Sequence, residues 1–244
     1  MKLFKYGNFI KESKEDIDSI CKKYGIENYT INEDGTVDVD GDVSIVGKIV
    51  RDRFINIDLT KLPIRFGKVS GKMQISFTKL TSLSGAPREV GGNFYCNNNK
   101  LTSLEGSPIS VGGHFYCSNN KLTSLKGSPV SVGGDFFCNY NELTTLEGIS
   151  QEIRGRLIDC GYNSLRNVRG IKSGWKGEFV LYENPVYEIF NLFKYDEVEY
   201  DEVVELLNEY DVIKEEGVNI QALEQVFIDM DIEFTFFRNY KMIL

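Results

Sequence analysis

The chain has 244 residues, 41% of them hydrophobic, and 28 Lys+Arg against 36 Asp+Glu give a formal net charge of −8. That is enough apolar content for one extended domain with end caps, and no stretch approaches the roughly 18–20 apolar residues of a membrane span. The acidic balance and the lack of a basic stripe argue against direct binding to nucleic acid.

Residues 1–40 read as an N-terminal segment and cap. Ser13-Lys14-Glu15-Asp16 resembles a capping box with Asp in place of Glu or Gln. It predicts a helix over 13–25, with Ile17, Ile20, Cys21 and Tyr24 on one face and Gly25 as the stop. Two alternating runs around Glu33-Asp34-Gly35 predict a hairpin over 29–40. Asp34, Asp38, Asp40 and Asp42 have a calcium-loop flavour, but the downstream bidentate Glu is missing at the required spacing. A solvated strand face is the expectation, and no metal or cofactor is assigned.

From residue 41 to 187 the chain repeats. VGGNFYCNNNKLTSLEGSPIS from Val90, VGGHFYCSNNKLTSLKGSPVS from Val111 and VGGDFFCNYNELTTLEGISQE from Val132 overlay residue for residue with a period of 21. Weaker copies flank them. One begins at Val69, one spans Ile153 to Leu165 with a residue inserted before Cys160, and a partial turn runs from Trp175 to Val186. Gly41 to Ile45 starts a further coil, whose exit at Leu59 to Pro63 follows a longer excursion. About seven coils result. A period this short defines a solenoid, because one unit cannot bury its own core and must stack on its neighbours.

Within a coil, Phe94 and Cys96 alternate with Tyr95, so the first two face inward and Tyr95 outward on a short strand. Leu101 and Leu104 return to the interior. Asn99, Asn120 and Asn141 recur at the turn, where an amide can satisfy the backbone of adjacent coils. The Gly-Gly pairs and the Gly-Ser-Pro steps are turn chemistry. The expected fold is therefore a β-rich solenoid of parallel strands in 21-residue coils, with turns rather than helices on its convex side.

Cys96, Cys117, Cys138 and Cys160 share one repeat slot. Stacked strands would set them in a line with steps of about 4.8 Å, whereas zinc needs four sulfurs around one point. No export signal is read, so they are expected as reduced, buried core thiols.

The outward strand positions form rows. Gln74, Tyr95, Tyr116, Phe137 and Val180 make one column, bordered by Asn93, His114 and Asp135 on one side and by Asn97, Ser118 and Asn139 on the other. Asn98, Asn119 and Tyr140 lie just beyond. An aromatic row edged by short polar groups suits recognition of a protein partner. The same pattern arises if the rings only stiffen the sheet, or if a flanking segment covers them.

From about Asn184 the character changes. Residues 183–244 hold 16 Asp+Glu against 4 Lys+Arg, while the preceding residues hold 20 against 24. Helical periodicity over 186–193, 201–210 and 221–230 predicts a mostly helical, acidic cap over 188–244. Phe234-Thr235-Phe236-Phe237 and Met242-Ile243-Leu244 suit a strand or a docked terminus.

The strand-x-x-Asn-x-Leu-x-x-Leu spacing is similar to the short bacterial leucine-rich repeat, with Phe and Cys where Leu is usual. The modules GGxFxCxNNxLTSLEGSP, the lead-in TINEDGTVDVDGDV and the exit NPVYEIF resemble a leucine-rich-repeat-like family encoded by large-genome myophages. The resemblance implies a phage-encoded solenoid that binds a host or phage protein in the host cytoplasm, with modulation of host functions or defence as a use. The start, MKLFKYGNFIKE, resembles the capsid-targeting peptide of phage internal head proteins, in which Phe9, Ile10 and Glu12 match and cleavage follows Glu12. That resemblance implies packaging in the virion interior.

An enzyme would need a nucleophile, acid or base. The lone histidine, His114, occupies a slot filled by Asn93 and Asp135 in the adjacent coils, and no Gly-Gly pair leads into a phosphate-binding GKS/T. A binding protein is the expected class. A small hydrolase or transferase using carboxylates of the C-terminal part is the remaining enzymatic alternative.

Overall fold

The computed structural model describes residues 14–46, 48–50, 53–55, 58–172, 175, 177–192, 200–210, 212–214, 218–230 and 242–243. Ser13, the Glu12 processing site and the Phe234–Phe237 segment lie outside them.

Helix α1 (Lys14–Tyr24) buries Ile17 and Cys21, with Glu15 and Asp16 in its first turn and Lys22 and Lys23 in its last, complementing the helix dipole. It ends as the sequence predicts. Gly25 takes φ 65°, and the Ile26 amide reaches back to the Cys21 carbonyl at 2.9 Å, closing a Schellman turn. The hairpin pairs Tyr29–Ile31 antiparallel with Val37–Val39. Asp34 accepts from the Thr36 amide and hydroxyl inside its turn, and these bonds hold its carboxyl below the usual range.

Two seven-stranded sheets then run the length of the solenoid. The front sheet stacks Val43–Ser44, Met73–Gln74, Phe94–Tyr95, Phe115–Tyr116, Phe136–Phe137, Leu157–Asp159 and Glu178–Val180, all parallel. The back sheet begins with the hairpin and continues through Phe66–Val69, Glu89–Val90, Ser110–Val111 and Ser131–Val132 to Glu152–Ile153. The turn chemistry expected at Gly91-Gly92 is the corner between them. The back strands themselves were not anticipated, because two residues with one inward Val are too short to show a period.

About five turns are complete. The sequence count of about seven corresponds to the seven front strands, of which the first leads into the long excursion and the last belongs to the partial turn. That excursion carries its own antiparallel pair, Lys48–Val50 with Arg53–Ile55.

In-register stacking explains the core. Phe94, Phe115 and Phe136 are fully buried beneath the front sheet, with rings 5.7 and 5.1 Å apart in succession. The leucines of the third side, such as Leu101, Leu104, Leu122 and Leu125, are equally buried. All five cysteines are free thiols inside this core. Cys96, Cys117 and Cys160 donate to the Tyr116, Phe137 and Val180 carbonyls of the following coil at 3.3–3.4 Å.

The asparagine expectation extends to five rungs: Asn99, Asn120, Asn141, Asn163 and Asn184. Each amide donates to carbonyls of its own and the preceding coil, as Asn120 does to Cys117 O at 3.0 Å and Cys96 O at 3.1 Å. Each side-chain oxygen also accepts from a backbone amide of the preceding coil, as from Leu101 N at 3.0 Å. This satisfies buried groups that the corner strips from any ladder.

At the far end, Pro185 opens α2 (Pro185–Leu192), a position where its missing N–H costs nothing. α3 (Tyr200–Tyr210) packs on α4 (Ile220–Asp229), burying Val203 and Leu207 with Leu223, Val226 and Phe227. Asn219 caps α4 by accepting from Ala222 N at 3.2 Å. Asn208 ties α3 to the solenoid through Val168 N and the Arg169 guanidinium. Met242–Ile243 pairs in parallel with Val218–Asn219, so this end of the chain docks as a strand.

Candidate recognition face

The front sheet brings together every side chain expected on the outward rows. Tyr95, Tyr116 and Phe137 stack into one continuous column, with centroids 4.5 Å apart at both steps and planes within 8°. Gln74 precedes them in register. Asp159 follows Phe137, and Val180 follows Asp159. Asp159 was missed as a member of the column because the residue inserted before Cys160 shifts the register to 22.

The three rings are half-buried rather than free. Stacked rings occupy one another's faces, so the column offers edges and hydroxyls to the outside. Ring edges carry the positive end of the aromatic quadrupole and suit carbonyls, carboxylates and other ring faces. The cross-strand stiffening considered above therefore holds in the structure, and a contact surface remains.

The row of Asn93, His114 and Asp135 has a structural task. Asn93 Oδ1 accepts from His114 N at 2.8 Å, His114 Nδ1 accepts from Asp135 N at 2.9 Å, and Asp135 Oδ1 accepts from Arg156 N at 2.9 Å and Leu157 N at 3.0 Å. Asp38 and Asp42 do the same for Lys68 N and Lys72 N in earlier coils, and Asp40 accepts from the Ser70 hydroxyl. Asp38, Asp40 and Asp42 are thus inter-coil acceptors, while Asp34, Asp40 and Asp42 remain exposed, as a solvated face requires. Asn93 also fixes the column, donating to the Tyr95 hydroxyl at 2.8 Å.

On the other border, Asn97, Ser118 and Asn139 are half-buried, and Asn97 Oδ1 accepts from the Ser76 hydroxyl at 2.6 Å. Beyond them is a corner whose backbone the sequence conceals. Phe77, Asn98, Asn119, Tyr140, Tyr162 and Glu183 all take φ between 54° and 57°. Asn adopts this left-handed conformation readily, whereas an aromatic residue does so at a cost. Tyr140 and Tyr162 nevertheless hold it, stacked on each other at 4.3 Å and each 45% exposed. Tyr182, 54% exposed, adds a third ring and packs edge-on against Tyr187. Tyr182, Glu183, Asn184, Pro185 and Tyr187 line a hollow of about 340 Å³ beside this corner.

Electrostatically the face is mixed. Asp159 is half-buried, and burial raises its carboxyl above the ordinary value despite the bond from Gly161 N at 3.1 Å. Among the described residues it forms no ion pair. The buried thiols are pushed far up by desolvation, which removes them as nucleophiles. No helix among the described residues is long and apolar enough to cross a membrane.

Fold and face together define a short-coil parallel β-solenoid presenting an aromatic sheet surface. Compared with known proteins, the chain matches no family model, no curated protein and no solved structure at a significant level.

Proposed function

We propose that this protein is a binding module whose front sheet recognises a protein partner. The observation that carries the reading is the pair Tyr140 and Tyr162. Two large rings occupy left-handed positions where the two preceding coils have Asn, and they stand exposed. Backbone strain kept in place beside a preorganised surface is a mark of function. Tyr182 and the edges of the Tyr95–Tyr116–Phe137 column extend the same surface, with Asn97, Ser118 and Asn139 as its polar seam. The resemblance of the repeats to myophage proteins supports a host or phage protein as the target, and modulation of host defence as its use.

The test is capture from infected-host lysate with wild type, with Ser118→Arg, and with Tyr95/Tyr116/Phe137→Ala. Ser118→Arg adds a long charged side chain to the seam without disturbing the ring stack. A partner captured by wild type and lost with Ser118→Arg, while the melting temperature stays unchanged, supports the reading. A partner captured equally by all three would sink it.

A further inference from the structure

Away from the recognition face, where the back sheet ends at Glu152–Ile153, a hollow of about 550 Å³ opens between Ile149–Arg154, Ile158, Ile171, Lys172 and Trp175. We propose that it is a binding site for a small amphipathic anion, a molecule with an aromatic or apolar body and one acidic headgroup. The volume falls in the range of small-molecule sites, which are largely apolar and carry a few convergent polar groups.

Four observations fit that chemistry. First, the walls include Ile149, Ile153, Ile158 and Ile171, two of them buried, which suits an apolar body. Second, Ser150 lines the hollow at 5% exposure, and its hydroxyl has no hydrogen-bond partner among the described residues. A buried hydroxyl left unpaired costs free energy until a ligand oxygen accepts its hydrogen bond. Third, Arg154 and Lys172 both line the hollow, and neither forms an ion pair among the described residues. Against the single acid Glu152, the wall is net positive on a chain of net charge −8. Fourth, Trp175 is held in place: its ring meets Phe179 at 4.6 Å, and a Cβ on Gly177 would overlap it. An indole fixed at the wall of a cavity is a platform for an aromatic ring. In this arrangement the headgroup lies between Arg154, Lys172 and the Ser150 hydroxyl, and the body lies against Trp175 and the isoleucines.

Trp175 is the only tryptophan of the chain, so its emission reports on this site alone. The probe is 8-anilinonaphthalene-1-sulfonate, an aromatic anion that accepts energy from indole, set against neutral N-phenyl-1-naphthylamine of the same shape. The anionic dye is expected to bind one per chain with energy transfer from Trp175. It should bind about tenfold or more tightly than the neutral dye, the margin set by hydrogen bonds to a charged group. Arg154→Gln/Lys172→Gln changes only exposed side chains and should erase that preference, while Ser150→Ala should weaken the anion alone. Absence of a saturable Trp175 response overturns the proposal. So does equal binding of the two dyes, or an affinity for the anion that neither variant moves.

Discussion

Asn141 donates from Nδ2 to the carbonyls of Cys117 and Cys138 at 3.1 and 3.0 Å, joining one coil to the next at a corner where no strand ladder runs. Its Oδ1 also accepts from Leu122 N at 3.1 Å. Asn141→Ala orphans the Leu122 amide, while the Cys117 and Cys138 carbonyls each lose one donor and keep another, from Asn120 and Asn163. The expected cost is about 1–3 kcal/mol, the range for one unsatisfied buried group. Urea unfolding would measure it, and a loss below about 1 kcal/mol would mean that water reaches these groups.

Gly133 stands against Gly112 at the corner between the sheets, where a Cβ would overlap the Gly112 carbonyl oxygen. The obstacle is backbone, so it cannot be relieved by a rotamer change. Gly133→Ala should therefore push two coils apart and destabilise by about 3 kcal/mol or more, at or beyond the upper range for overpacking. Gly161→Ala is the control. Nothing there comes closer than 3.4 Å to the added carbon, and the melting temperature should move little.

The thiols give a probe of coil opening. Cys96, Cys117, Cys138 and Cys160 are fully buried, and burial raises their pKa well above that of a free thiol. Burial also raises that of Cys21, with the Asp18 charge adding to it. Native protein at neutral pH should leave all five unlabelled by a thiol reagent, with labelling appearing only along the unfolding transition. Fast native labelling of one of the repeat cysteines would show that its coil opens independently.

Asp159 predicts an unusual pH dependence. Burial raises its carboxyl in the folded state above the ordinary value of 3.8. Between those two values the folded chain binds more protons than the unfolded one, so stability from this group falls as pH rises through the window. Asp159→Asn keeps an oxygen for Gly161 N and removes the charge. The variant should melt higher than wild type near pH 7, with the gap closing as pH falls below the unfolded value. A gap independent of pH would place the effect in packing instead.

Much of the solenoid is legible because identical side chains stack in register. One period of 21 reveals the inward Phe and Cys, the paired leucines and the asparagine ladder, as Phe94↔Phe115 and Tyr95↔Tyr116 show. What stays hidden has local causes. The back strands pair over only two residues, as at Ser110–Val111. One inserted residue moves Asp159 into the aromatic column. The left-handed corner is advertised by Asn98 and Asn119 but disguised by Phe77, Tyr140, Tyr162 and Glu183. The polar border of Asn93, His114 and Asp135 is visible as a row, yet only coordinates reveal that its acceptors face the next coil's amides.

That corner separates stability from recognition. Asn tolerates φ near 55° better than tyrosine, by a fraction of the 1–3 kcal/mol that strained backbone positions cost. Tyr140→Asn and Tyr162→Asn also forfeit a stacked ring pair of about 0.5–1.5 kcal/mol. The two effects oppose, so the double variant should unfold within about 1 kcal/mol of wild type. Partner capture, in contrast, should fall sharply, since 45%-exposed rings are lost from the surface. Melting and capture measured on the same preparation decide the matter. A large stability loss would make the tyrosines part of the scaffold, and unchanged capture would remove them from the recognition face.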